Sequence, residues 1–93
     1  MYKILRTITS YNLDEDFWIS FLKLQNKDGE DLYQIQIIKS KTDQRETAEF
    51  PTEDAAKEVY FNFLNWSIKG MHTFNQRIMV LKDFEKQYKK QEI

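Results

Sequence analysis

The sequence predicts an α+β fold in which an antiparallel meander of about four strands packs against two C-terminal helices, in the order β-β-β-β-α-α. Three observations carry this. Residues up to Phe50 fall into short runs rich in β-branched and aromatic side chains, separated by polar turn-forming segments. After Pro51 the period changes, and two windows show helical spacing, each opened by a capping signal and divided by Lys69-Gly70. At 93 residues the chain supports one core, so a single domain is expected. Seven Phe, five Tyr and two Trp can fill that core, at roughly 150–250 Å² per ring.

The first strand is expected over Lys3 to Ser10, with Ile4 and Ile8 on one face and Leu5, Thr7 and Thr9 on the other. Tyr11 to Asp16 reads as a loop, since its Asn and carboxylates could not be buried without partners. The second strand, Phe17 to Gln25, has a parity conflict. Phe17, Ile19 and Phe21 stand at one parity, and Trp18, Leu22 and Leu24 at the other. Either both faces of this strand are covered or a bulge near Phe21-Leu22 switches the parity. Asp28-Gly29 marks a turn, because glycine tolerates positive φ. The third strand, Leu32 to Ser40, alternates cleanly, with Tyr33, Ile35 and Ile37 opposing Gln34 and Gln36. After a polar turn, Arg45 to Phe50 forms a short fourth strand with Ala48 and Phe50 inward, its charged residues suiting an edge.

The first helix opens at Pro51-Thr52-Glu53-Asp54, where Thr52 can cap and the acids favour the positive end of the helix dipole. Asp54, Glu58, Asn62, Asn65 and Lys69 form one polar stripe, and apolar side chains from Ala56 to Ile68 occupy the remaining circumference. So wide an apolar band requires contact on two sides. A second helix begins at Thr73-Phe74-Asn75-Gln76, a capping box, and continues with Phe74, Ile78, Leu81 and Tyr88 at helical spacing. Lys86, Lys89 and Lys90 lie at its negative end.

Composition narrows the function mainly by exclusion. Without cysteine there is no disulfide, thiolate nucleophile or cysteine-ligated metal. A single histidine, His72, rules out a two-histidine metal site, and neither Gly29 nor Gly70 belongs to a phosphate-binding loop. No serine sits in a nucleophile signature. The reading is therefore non-enzymatic, with no cofactor and no metal. The N-terminal residues lack the apolar stretch of a signal peptide and no run approaches a membrane span, so a cytoplasmic protein without membrane contact is expected. Net charge is −1, divided as −4 over residues 1–60 and +3 over residues 61–93. This falls short of the basic bias of a typical nucleic-acid binder.

Two binding readings remain. In the first, another protein is the partner. The expected contacts are the acidic loop Asp14, Glu15 and Asp16 and the outer helix surface at Trp66, Met71 and Met79, near the surplus apolar residues Phe61, Leu64 and Ile68. An exposed edge strand at either end of the sheet offers docking by strand addition. In the second, the sheet binds single-stranded nucleic acid, with Trp18 and Tyr33 stacking on bases and Lys23, Lys39 and Lys41 following phosphates.

A Trp opening the second strand (Trp18), a Tyr opening the third (Tyr33) and a sheet-to-helix step at Phe50-Pro51-Thr52 give residues 2–64 a layout similar to the small coactivator family that binds single-stranded DNA. That resemblance implies a curved four-stranded sheet, a following helix and helix-mediated dimerisation. The chain departs from the family in lacking a dense basic set on strands two and three and in carrying a second helix. In size and composition it also resembles small accessory proteins of bacteriophages and mobile elements, including anti-CRISPR and other anti-defence inhibitors. The function expected is thus a protein-binding module, with stoichiometric inhibition as its specific form. The alternatives are single-strand binding by the sheet and a homo-oligomeric structural role, a homodimer among them.

Overall fold

A computed structural model describes residues 3–13, 16–70 and 72–91, the side chains of residues 89–91 excepted. Its elements are β1 (Lys3–Asn12), β2 (Phe17–Gln25), β3 (Asp31–Lys39), β4 (Gln44–Phe50), α1 (Glu53–Ile68) and α2 (Phe74–Gln91). The four strands form one antiparallel sheet in the order β1-β2-β3-β4, the meander predicted from the sequence. No described helix is long and apolar enough to cross a membrane.

Local chemistry accounts for the turns. Between β2 and β3 the Asn26 side chain accepts hydrogen bonds from the Asp28 and Glu30 N–H groups, both at 2.9 Å, and Gly29 takes φ +83°. A side-chain acceptor two residues back and a glycine in the left-handed region together define this tight reversal. Between β3 and β4, Asp16 reaches across from the start of β2. Its carbonyl accepts from the Ser40 N–H at 2.8 Å, and its carboxylate accepts from the Lys41 N–H at 2.7 Å.

The β2–β3 register runs unbroken from Phe17↔Lys39 to Gln25↔Asp31. The irregularities lie in β1, between Ile4 and Arg6 and between Thr7 and Thr9. Of the two expected solutions to the β2 parity conflict, the structure adopts the first. Phe21 and Leu22 are both buried, on opposite faces. The bulges change the expected faces of β1. Arg6, Thr9 and Tyr11 register with Lys23, Phe21 and Ile19 on the helix-facing side, whereas Ile4, Thr7, Ser10 and Asn12 register with the even-numbered residues of β2 on the other. β1 also extends beyond the expected boundary. Tyr11 and Asn12 belong to the strand, and the Leu13 N–H donates to the Phe17 carbonyl at 2.8 Å to close the loop. The bonded strand partner across the sheet outweighs the low β propensity of Asn12.

Both predicted helix starts are present. The Thr52 hydroxyl accepts from the Ala55 N–H at 3.3 Å. At α2, the Gln76 N–H donates to Thr73 Oγ1 at 3.1 Å while the Thr73 N–H donates to Gln76 Oε1 at 2.8 Å, a reciprocal capping box. α1 packs across β2, β3 and β4, and α2 packs against α1 and β4. The resulting core joins Ile19, Phe21, Ile35, Ile37, Ala48 and Phe50 of the sheet to Val59, Tyr60 and Phe63 of α1 and Phe74 and Leu81 of α2. Each large apolar side chain buried there contributes roughly 1.5–3 kcal/mol before entropy is counted. The second layer is thus concentrated towards β4, and β1 is left at the thinly covered margin.

Candidate protein-binding surface

The uneven covering creates the site. α1 turns Val59 and Phe63 into the core, Leu64 packs against the core's margin, and Phe61 and Ile68 are exposed. Beside Phe61 and Leu64, α1 and β1 border an apolar groove of about 400 Å³. Its strand wall is Ile8, Thr9 and Tyr11; its helix wall is Phe61 and Leu64, with Glu53 and Lys57 exposed beside them; Phe21 and Tyr60 reach it from the core. Of the lining side chains, Tyr11 is 46% exposed and Phe61 49%. Large apolar side chains this exposed, clustered around one depression, are the usual mark of a contact surface.

The floor of the groove is formed by packed aromatic rings. The Tyr60 ring lies 5.6 Å from Phe21 and meets Phe61 edge-on at 5.5 Å. Burial raises the Tyr60 phenol above its ordinary value of 10.0; the Thr9 hydrogen bond opposes this and the neighbouring Tyr11 adds to it. A phenol kept protonated by the fold contributes stability that is complete below about pH 10 and is lost as pH rises through its folded-state value. Tyr60→Phe is therefore expected to lessen alkaline destabilisation above about pH 10 relative to wild type. Thermal melts from neutral pH upward check this, and unchanged alkaline sensitivity would contradict it.

The residues singled out from the sequence fall in several places. Asp14, Glu15 and Met71 lie outside the described residues. Asp16 is half-buried, and its carboxylate already accepts from the Lys41 backbone. Trp66 is also half-buried, stacked on His72 with ring centroids 3.9 Å apart and on Phe63 at 5.9 Å. Met79 is 72% exposed on the outer side of α2, where its exposed neighbours are polar or charged, such as Asn75, Gln76, Lys82 and Asp83. Phe17 stacks on Phe74 at 5.8 Å, and the Arg77 guanidinium sits 4.5 Å from the Phe17 ring and donates to the His72 carbonyl at 2.8 Å. The start of β2 and Trp66 therefore share one end of the molecule, joined through a packed cation and His72. Met79 stands apart from them.

The residues considered for nucleic acid are divided between the two faces of the sheet. Trp18 registers with Ile38 on the face that carries no helix. Lys23, Tyr33 and Lys39 stand at the opposite parity, where Lys23 pairs with Asp31 at 3.6 Å and Lys39 lies 5.9 Å from the Phe17 ring. Lys41 is exposed in the β3–β4 turn. The structure does not assemble them into one stacking platform. On the helix-free face Leu22 and Leu24 are each only 4% exposed, so the middle of that face is closed.

Ile8 and Tyr11 are site residues that the sequence pattern alone does not mark. Tyr11 lies in a stretch whose composition reads as a loop, and the two bulges that set the faces of β1 have no glycine or proline to mark them. The usable signal was the surplus of apolar residues on α1, which did include Phe61, Leu64 and Ile68. Among the described residues, no three His, Asp or Glu side chains are grouped as a metal site. Comparison of the chain with protein-family models, with curated proteins and with solved structures finds no match.

Proposed function

We propose that this chain is a non-enzymatic protein-binding module whose contact surface is the groove between β1 and α1. The observation that carries the reading is the pair of exposed aromatic rings, Tyr11 and Phe61, on opposite walls of an apolar groove of about 400 Å³. Aromatic anchors beside a pocket account for most of the binding energy at protein interfaces, and truncating one typically costs about 2 kcal/mol or more. Binding occurs without turnover, so the chain acts in fixed ratio to its partner. Where the covered surface of the partner is its working surface, the outcome is stoichiometric inhibition.

Single-strand binding has weaker support, because Trp18 and the set Lys23, Tyr33 and Lys39 occupy opposite faces. The test of the main reading is Phe61→Glu, which places a charge at the groove wall while leaving the core intact. Tagged wild-type and variant chains are compared for capture of the same partner from the native host, with melting curves as the folding control. The variant is expected to lose at least about 30-fold in affinity with its melt preserved. A partner held equally by both chains would move the site elsewhere. Binding to short single strands that weakens steeply with salt would favour the nucleic-acid reading instead.

A further inference from the structure

The two edges of the sheet are treated differently. At β4, Lys82 Nζ of α2 donates to the Thr47 carbonyl at 2.6 Å, and Glu85 Oε2 accepts from the Glu49 N–H at 2.7 Å. Thr47 and Glu49 are two residues apart and so present their backbone to the same side. α2 has thus occupied two adjacent pairing groups of that edge, the Thr47 carbonyl and the Glu49 N–H, and covering an edge is one of the standard defences against unwanted strand addition. At β1, among the described residues, no group from another element bonds to the outer backbone. Its two bulges blunt residues 4–9, but residues 9–12 pair with β2 one for one, and this regular segment adjoins the groove.

Building on the function proposed above, we infer that an extended, acidic segment of the partner protein adds to β1 as a fifth strand. A strand placed about 4.8 Å beyond β1 would project alternate side chains over the helix-facing side. There they meet Tyr11, Phe61 and Leu64, so apolar residues at two alternate positions fill the groove. Towards the other end of β1 the surface changes sign. β1 carries Lys3 and Arg6 and no carboxylate. Arg6 registers directly opposite Lys23, a like-charge pair, and Lys23 has Asp31 at 3.6 Å while Arg6 forms no ion pair among the described residues. A carboxylate on the incoming strand supplies the missing counter-charge. The occupant, antiparallel like every other neighbour in this sheet, pairs along residues 9–12 with apolar side chains at alternate positions in its N-terminal half, and its acidic C-terminal half continues past the bulges within reach of Arg6.

The probe is a fluorescent eight-residue peptide in which threonine alternates with two valines and then two glutamates. It is compared with a counterpart carrying lysine for glutamate and with two versions N-methylated at odd or at even residues. Anisotropy titrations should show the glutamate peptide binding at least ~10-fold tighter than the lysine peptide, and Arg6→Glu should reverse that order. One methylation pattern should weaken binding at least ~10-fold and the other should not, because only one edge of an added strand bonds to β1. Equal affinity of the two charge forms overturns the inference, as does an equal response to both methylation patterns. Self-association of the chain without peptide binding also overturns it and assigns the edge to a second copy. If Phe61→Glu releases the host partner while Arg6→Glu leaves it bound, the groove remains a protein-binding surface and strand addition alone fails.

Discussion

Phe63→Ala is expected to cost about 3–5 kcal/mol of stability, while Phe61→Ala, two residues away on the same helix, is expected to change it by less than about 1 kcal/mol. The two rings have the same chemistry and opposite surroundings. Phe63 is 0% exposed, belongs to the central cluster and stacks on Trp66 at 5.9 Å. Removing it forfeits the transfer energy of the ring and leaves a cavity that the surrounding sheet and helices cannot fully close. Against a total stability of about 5–15 kcal/mol for a domain, that loss is a large fraction. Phe61 touches Tyr60 along one edge and is otherwise half in solvent. The small loss of contact is offset by the better helix propensity of alanine, worth roughly 0.5 kcal/mol. Urea unfolding of both variants checks the pair. Equal costs would mean that Phe61 belongs to the core and is not a surface anchor.

Glu85→Ala should lower stability by about 1–2 kcal/mol and make the chain associate as its concentration rises. The Glu85 carboxylate accepts from the Glu49 N–H at 2.7 Å with its side chain only 15% exposed, so this is a charge-assisted bond in a partly screened position. The ion pairs of Lys82 with Glu46 at 3.3 Å and Glu85 at 3.7 Å are more exposed and contribute less. The carboxylate also bears on specificity, because without it the Glu49 N–H on the outer edge of β4 is free to bond a second chain. Unfolding curves give the stability change and sedimentation gives the mass. A variant that keeps both wild-type stability and wild-type mass at every concentration would show that α2 does not guard this edge.

These expectations rest on features that differ in how far the sequence reveals them. Element order and helix starts were legible because their causes are local. Thr52, the Thr73/Gln76 pair and Asp28-Gly29 each determine a cap or turn with residues a few positions away. The bulges in β1 were not legible, since no glycine or proline marks them and they exist only relative to the β2 register. The same dependence hid the placement of Tyr11. The division of labour on α1 was half legible. Its apolar circumference announced two contacts, but only the packing of α1 on the sheet and of α2 on α1 and β4 decides that Val59 and Phe63 are covered and Phe61 and Ile68 are not. Likewise, the separation of Trp18 from Tyr33 follows from the β2–β3 register, in which Trp18 meets Ile38 and Tyr33 meets Lys23.

The open side of the molecule, bounded by β1 and α1, is the centre of the functional account, and amide exchange of the free chain against its captured complex tests it most directly. Exposed edge amides exchange quickly unless a partner bonds to them. On complex formation, the account predicts new protection in β1 around Tyr11 and slower exchange in α1 around Phe61, with β4 unchanged. Protection confined to the region of Trp66 and Met79, or to the sheet face carrying Trp18, would contradict it.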